Sequence, residues 1–329
     1  MADAPATRSR IPGQALTWAG LLIGAVFTYL AVRNAHFADV WDALRSTNYW
    51  WLLPAFLALA CGLFLKALRW RSVFSIETRP PMRPLSKALL VGYFVNAILP
   101  ARAGEAARVV VLNRNSGTSL AEAGTTVVVE RVYDVLSLLL LLFMAVPWLP
   151  EVTWLRAAAL LALVLVVVVA LVVAVLAVYG LRPVRYVLRL LLRVPFVTAE
   201  TLDQVGASLG RGLVALRHPR VMAAALLWST AAWLAIAAST WFVMKGFHLG
   251  LSLVAALLVV IATNLVQIVP SPPSALGVFE AATVVALGAY GIADSDALSY
   301  ALVLHALSTA VFILVGLVLL RETLSLRRS

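Results

Sequence analysis

The stretch NAILPARAGEAARVVVLNRNSGTSLAEAGTTVVVERVYD, residues 96–134, decides how this chain folds. It carries Arg102, Glu105, Arg108, Glu122, Glu130, Arg131 and Asp134. The apolar run KALLVGYFV precedes it and VLSLLLLLFMAV follows it. A charged group at membrane depth costs roughly 2.5–3.5 kcal/mol on insertion scales. Charges kept between such neighbours serve packing or function.

The 329 residues are 63% hydrophobic and 12% charged. That is about half the charge of a soluble domain. Several apolar runs reach the roughly 20 residues needed to cross a hydrocarbon core of about 30 Å. Strand alternation is absent, and open sheet edges cannot sit in lipid. The sequence therefore predicts an all-α integral membrane protein. It has about seven or eight transmembrane helices, two re-entrant or broken helical elements and a weak internal repeat.

The net charge of +11 comes from Lys and Arg lying between apolar runs. Topology accounts for them, and no nucleic-acid partner is expected. The lone Cys61 excludes a disulfide within the chain. Arg8 and Arg10 precede an apolar segment, but no small-x-small cleavage site follows before Arg33 and Asn34. The first span is read as uncleaved.

Residues 1–14 read as a mobile cytoplasmic tail and 15–329 as a single membrane domain. The first half, 15–179, has spans at 15–32, 49–68, 119–146 and 154–179. A connector occupies 33–47. A basic loop holds Lys66, Arg69, Arg71, Arg79, Arg83 and Lys87, and its prolines preclude one helix. The segment 88–99 is too short to span, ends at Pro100 and is followed by Gly104. The first broken element is thus 88–115. Ser119 and Glu122 fit a capping box opening the third span.

Residues 180–220 read as amphipathic surface helices, with Arg182, Arg185, Arg189 and Arg193 at helical spacing. The second half, 221–320, has spans at 221–244, 251–269 and 297–320. Its broken element, 270–291, opens with PSPPSALGVFE. Of the 26 Lys and Arg, only Arg33, Arg45, Arg156 and Lys245 fall outside if the N-terminus is inside, with Arg131 in a span. Both termini are expected in the cytoplasm, in a cell inner (plasma) membrane.

The two broken elements echo each other. Each has an apolar lead, an Asn (Asn96 or Asn264), a Pro, a Gly and a Glu (Glu105 or Glu280). Paired broken segments point to a transporter binding site. On the third span, Glu130, Arg131 and Asp134 share roughly a 100° arc. Arg131 can pair with Asp134 at i+3, leaving a carboxylate for Arg102 or Arg108. Arg102 and Arg108 flank Glu105, and their planar forks suit a phosphate. A buried ion-pair cluster pinning the loop is the structural counterpart of that functional reading. Glu280 can seal a helix start. Asn96, Asn264 and Gln267 suit interhelical hydrogen bonds, and His305 suits packing. No phosphate-binding P-loop, metal-ligand cluster or nucleophile elbow occurs, so neither a cofactor nor an enzyme is expected.

The motif from Asn96 through Pro100, Arg102, Gly104, Glu105 and Arg108, followed by Glu130, Arg131 and Asp134, resembles the lysylphosphatidylglycerol synthetase transmembrane region, or flippase-like domain family. The later Pro270, Gly277 and Glu280 resemble its second motif, with Pro272-Pro273-Ser274 where relatives often carry a glycine pair. The resemblance spans nearly the whole chain. It implies lipid translocation, and the soluble synthetic domain of the bifunctional relatives has no counterpart here. It points to a flippase-type transporter of a phosphate-bearing lipid, a phospholipid or a polyprenyl-phosphate-linked glycolipid. Substrate contact is expected at Asn96, Arg102, Glu105, Arg108, Glu130, Arg131, Asp134, Asn264 and Glu280. Expected partners are membrane lipids with anionic phosphate headgroups, and a second copy or a lipid-synthesising enzyme. The alternative is a membrane scaffold or regulator of a lipid-modifying enzyme or glycosyltransferase, acting through 182–193.

Overall fold

The computed structural model describes residues 11–99, 102–152, 219–267 and 272–325, with isolated helical positions between 164 and 179. The expected span at 154–179 and surface helices at 180–218 otherwise lie outside these residues, as do 1–10. Every described element is helical. In chain order these are α1 (Ile11–Val32), α2 (Phe37–Ser46), α3 (Leu52–Val73), α4 (Met82–Ile98), α5 (Ala103–Ser116), α6 (Leu120–Ala145), α7 (Pro219–Gly246), α8 (Leu253–Val266), α9 (Val278–Gly288) and α10 (Asp294–Ser325). A 3₁₀ turn at Tyr49–Trp51 leads into α3.

Among the described residues, Tyr49–Val73, Arg220–Gly246 and Asp294–Leu319 are long and apolar enough to cross a membrane. A further pair, Leu21–Val32 and Phe37–Ser46, is bent by 80°. The supposed connector at 33–47 is therefore mostly helix. The 26-residue α6 has the length but carries Glu122, Glu130, Arg131 and Asp134.

Two sequence expectations need correction. The sixth span, 251–269, is only the 14-residue α8, about 21 Å at 1.5 Å per residue and too short to cross. The basic loop shrinks to 74–81. Lys66, Arg69 and Arg71 belong to α3, and Arg83 and Lys87 to α4. Pro84 fits in the first turn of α4, where its missing N–H has no intrahelical partner to lose.

The helices run between two ends. α3 and α7 lie antiparallel: Asn48 N–H donates to the Gly246 carbonyl at 2.9 Å, and Trp51 stacks on Phe242 at 5.9 Å. The end where α3 starts and α7 stops exposes Trp41, Tyr49, Trp50 and Trp148, as an interfacial aromatic belt does. α8 leaves from this aromatic end and α9 returns to it. α4 leaves from the opposite end and α5 returns to that one. The chain thus forms two helical hairpins that enter from opposite ends.

Each hairpin is closed by local backbone chemistry. In the first, a Cβ on Gly104 would lie 1.9 Å from the Gly92 carbonyl oxygen. Only glycine lets α5 approach α4 this closely. Asn96 Oδ1 accepts from Gly104 N–H at 2.7 Å, and Arg102 holds φ +54° just before α5. In the second, Ser274 and Ala275 hold φ +56° and +58°, a region that non-glycine residues seldom occupy. They directly follow Pro272 and Pro273. Gly277, at φ +80°, sits against α1, where a Cβ would meet Thr28 Oγ1 at 2.2 Å.

Gly104→Ala should destabilise the detergent-purified protein by about 1–3 kcal/mol through overpacking. Gly124→Ala, where an added Cβ meets nothing within 4 Å, should leave the thermal midpoint unchanged or raise it. Thermal unfolding of the two variants checks this.

Candidate functional site

The site begins with the register of α3. Its buried positions Ala55, Leu59, Gly62, Lys66, Arg69 and Val73 are spaced alternately four and three apart. That is the seam of a helix packed lengthwise on a neighbour, here α7. Lys66 and Arg69 fall on this seam, so both long cations are carried inside, with 8% and 0% of their surface exposed.

A buried guanidinium must find anions, because an unpaired interior charge costs several kcal/mol. Arg69 finds two, both from α6. Its Nη2 lies 2.6 Å from Glu130 Oε1, and its Nη1 pairs with Asp134 Oδ1. Nη1 also donates to Ser229 Oγ at 2.9 Å. Trp233 Nε1 donates to Asp134 Oδ1 at 3.0 Å. One arginine thus joins α3, α6 and α7. From α5, Arg108 Nη1 donates to Glu130 Oε2 at 3.0 Å, and its guanidinium lies 4.8 Å from the centre of the Trp70 ring. The expected ion-pair cluster that pins the first hairpin to α6 is present, and Arg69, not foreseen in it, is its centre.

A second tier faces outward. Arg131 Nη2 reaches Glu105 Oε1 at 3.0 Å, and its Nη1 reaches Asp134 Oδ2 at 3.5 Å. Arg102 Nη1 lies 3.8 Å from the same Glu105 oxygen. Arg102 Nη2 donates to the Gln267 carbonyl at 2.6 Å. This last bond ties the tip of the first hairpin to the tip of the second.

The second tip has its own polar chain. Glu280 Oε2 accepts from Gly277 N–H at 2.7 Å, so it does seal the start of α9. Its Oε1 lies 2.5 Å from His305 Nδ1. His305 Nε2 lies 3.0 Å from Ser274 Oγ, which in turn lies 2.9 Å from Thr309 Oγ1. The interhelical role expected of Asn264 and Gln267 is not seen. Each amide donates to a carbonyl of its own helix four residues back, as an exposed or cavity-facing amide can.

Between the tips lies a cavity of about 270 Å³. Lys66, Asn96, Arg102, Glu105, Glu130, Arg131, Asp134, Asn264, Gln267, Ser274 and His305 line its polar part. Leu59, Leu63, Ile236, Phe279 and Phe312 line the rest. A smaller cavity of about 80 Å³ shares Leu59, Ile236, Asn264, Phe279 and Ser308 with it and is otherwise walled mainly by Val259, Val260, Leu304 and Leu307. Seven of the nine expected substrate contacts therefore meet at one cavity. The other two, Arg108 and Glu280, stand behind it. A charged chamber beside an apolar one is shaped for an amphiphile.

The model of the lysylphosphatidylglycerol synthase TM region matches residues 17–316. The chain belongs to this family. No curated protein matches the chain. The family match covers both hairpins and every ionic residue of the site, so the charged cavity lies wholly within the family's region. Lys66 and Trp233 are among the cavity residues that the motifs did not bring forward. The 4-3 spacing of Ala55, Leu59 and Gly62 along α3 carries the signal for Lys66, because it places position 66 on a buried seam.

Arg69→Met should cost about 3–5 kcal/mol, since it strands Glu130 and Asp134 without their shared cation. Arg102→Ala, at a half-exposed pair, should cost under about 1 kcal/mol. Unfolding midpoints of the two variants in detergent give the comparison.

Proposed function

We propose that this protein is a lipid transporter of the flippase type, moving a phosphate-bearing lipid between leaflets. The supporting observation is the charged cavity at the junction of two hairpins that enter from opposite ends. In this reading the headgroup sits between the tips, and the first part of the acyl or prenyl chain takes the apolar chamber. Lys66, Arg102 and Arg131, from α3, the first tip and α6, supply the cations. Arginine suits this work because its planar donors match phosphate oxygens. Arg69, Arg108, Glu130 and Asp134 hold the floor in place.

Opposed hairpins give alternating access a simple form. Displacing the first tip opens the cavity to one end, and displacing the second opens it to the other. The Arg102–Gln267 hydrogen bond is the contact that either movement breaks. In this reading the α4–α5 hairpin and both termini lie on the cytoplasmic side of the cell membrane, the orientation that the Lys and Arg distribution favours. Anionic membrane lipids are the partners, and a lipid-synthesising enzyme would supply them. The drive is the lipid gradient, or a membrane potential worth about 2.3 kcal/mol per charge per 100 mV.

The test is a leaflet-resolved assay with headgroup-labelled phospholipid in proteoliposomes. Arg102→Ala should slow exchange roughly tenfold or more, the worth of a charge-assisted hydrogen bond. Arg114→Ala, on the exposed end of α5, should match the parent protein. Identical slow exchange for the parent and Arg102→Ala would remove the transport reading.

A further inference from the structure

The charges around the cavity do not balance, and the imbalance has a location. Among the described residues the cations are Lys66, Arg69, Arg102, Arg108 and Arg131, and the carboxylates facing them are Glu105, Glu130 and Asp134. Arg69 and Arg108 are matched by Glu130 and Asp134 in the buried tier. Glu105 serves both Arg131 and Arg102, at 3.0 and 3.8 Å. Glu280 is turned onto Gly277 N–H, lies behind His305 and does not line the cavity.

Two positive charges are therefore left over at the cavity wall. One is spread over Arg102 and Arg131. The other is Lys66. Its side chain is more than nine-tenths buried, and Nζ lies 3.8 Å from the centre of the Trp233 ring. It forms no ion pair among the described residues, although it lines the same cavity as Asp134 and Glu130. A buried ammonium resting on a ring face still has donors to satisfy, because the ring accepts only weakly. Arg69 already occupies Asp134 Oδ1, and Lys66 lines the cavity, so its remaining donors are open to a ligand there.

We infer that the headgroup taken by this site carries two negative charges: a lipid phosphomonoester or diphosphate rather than a zwitterionic or singly charged phosphodiester. This rests on the transport reading only for the claim that the ligand moves. The charge preference is a property of binding. A phosphodiester offers one charge and leaves either Lys66 or the Arg102–Arg131 pair uncompensated in a low-dielectric chamber. A terminal phosphate or a diphosphate can face α3 and the first tip at once.

The full-length protein in detergent is titrated with dioctanoyl phosphatidic acid, dioctanoyl phosphatidylglycerol and dioctanoyl phosphatidylcholine at a pH where the phosphomonoester is doubly ionised. Inorganic phosphate is a fourth ligand. Phosphatidic acid should bind roughly tenfold or more tighter than phosphatidylglycerol. Lys66→Gln should erase that preference, and Lys66→Arg should keep it. Gln retains the size and polarity of the site, so loss of preference without loss of thermal stability reports charge and not misfolding. Equal binding of the three lipids by the parent, or an undiminished preference in Lys66→Gln, would overturn the inference. Inorganic phosphate, a dianion at this pH, binding as tightly as phosphatidic acid would support the doubly charged ligand and identify a free anion as its source. In proteoliposomes, a preserved binding preference with no lipid exchange would sink transport and leave this inference standing. Lipid exchange together with equal binding of the three lipids would do the reverse.

Discussion

Arg69 is the point on which the membrane domain turns. It is fully buried, and it is held by two carboxylates from α6 and a hydroxyl from α7. Remove the carboxylates and α3 carries a bare cation into its longest interface. Remove the arginine and Asp134 keeps only the Trp233 donor and the long contact with Arg131, since Arg108 reaches only Glu130. Neither state is tolerable in a low-dielectric interior. The three helices must therefore assemble together, in one register. Arg108 then fixes the first hairpin to that register through Glu130, and the hairpin tip presents Arg102 to the second hairpin.

The construction separates structural charge from working charge. The inner tier is nearly dry, and its partners are matched across helices. The outer tier, Arg102, Glu105 and Arg131, is half-exposed and shares one carboxylate between two cations. Such pairs are individually weak, which suits groups that must exchange one partner for a ligand. The first tip, which carries Arg102 and Glu105, and the second tip also carry left-handed backbone, at Arg102 and at Ser274 and Ala275. Strain of this kind persists where surrounding contacts impose it, and it clusters at ligand sites and switch regions. Glycine at 104 and 277 sets how closely each hairpin packs.

Much of this was legible in the residues. The helical membrane class, the bounds of α6, the two broken elements, the Arg131–Asp134 pair and a partner in Arg102 or Arg108 for the remaining carboxylate follow from periodicity, charge placement and i+3 geometry. The length of α8 was not legible. The apolar run continues in sequence through Ile268 and Val269, but the helix ends at Val266, so hydropathy overstated the span. Lys66 and Arg69 were misplaced for a related reason. An apolar run that ends in Lys, Arg and Trp is the usual signature of a membrane interface, and only the 4-3 spacing from Ala55 to Val73 shows that the seam continues through them. Asn264 and Gln267 look like interhelical ligands by type, but their own helix supplies acceptors four residues back.

The central claim is that the cavity between the hairpin tips receives a lipid phosphate. Asn264 borders both the charged and the apolar chambers, so an Asn264→Cys substitution in a Cys61→Ser background places one reporter thiol there. The direct measurement is its rate of reaction with an anionic, water-soluble thiol reagent, with and without dioctanoyl phosphatidic acid. The account predicts that the thiol reacts, that phosphatidic acid protects it in a saturable way, and that phosphatidylcholine at the same concentration does not. A thiol that reacts equally with and without phosphatidic acid would contradict it.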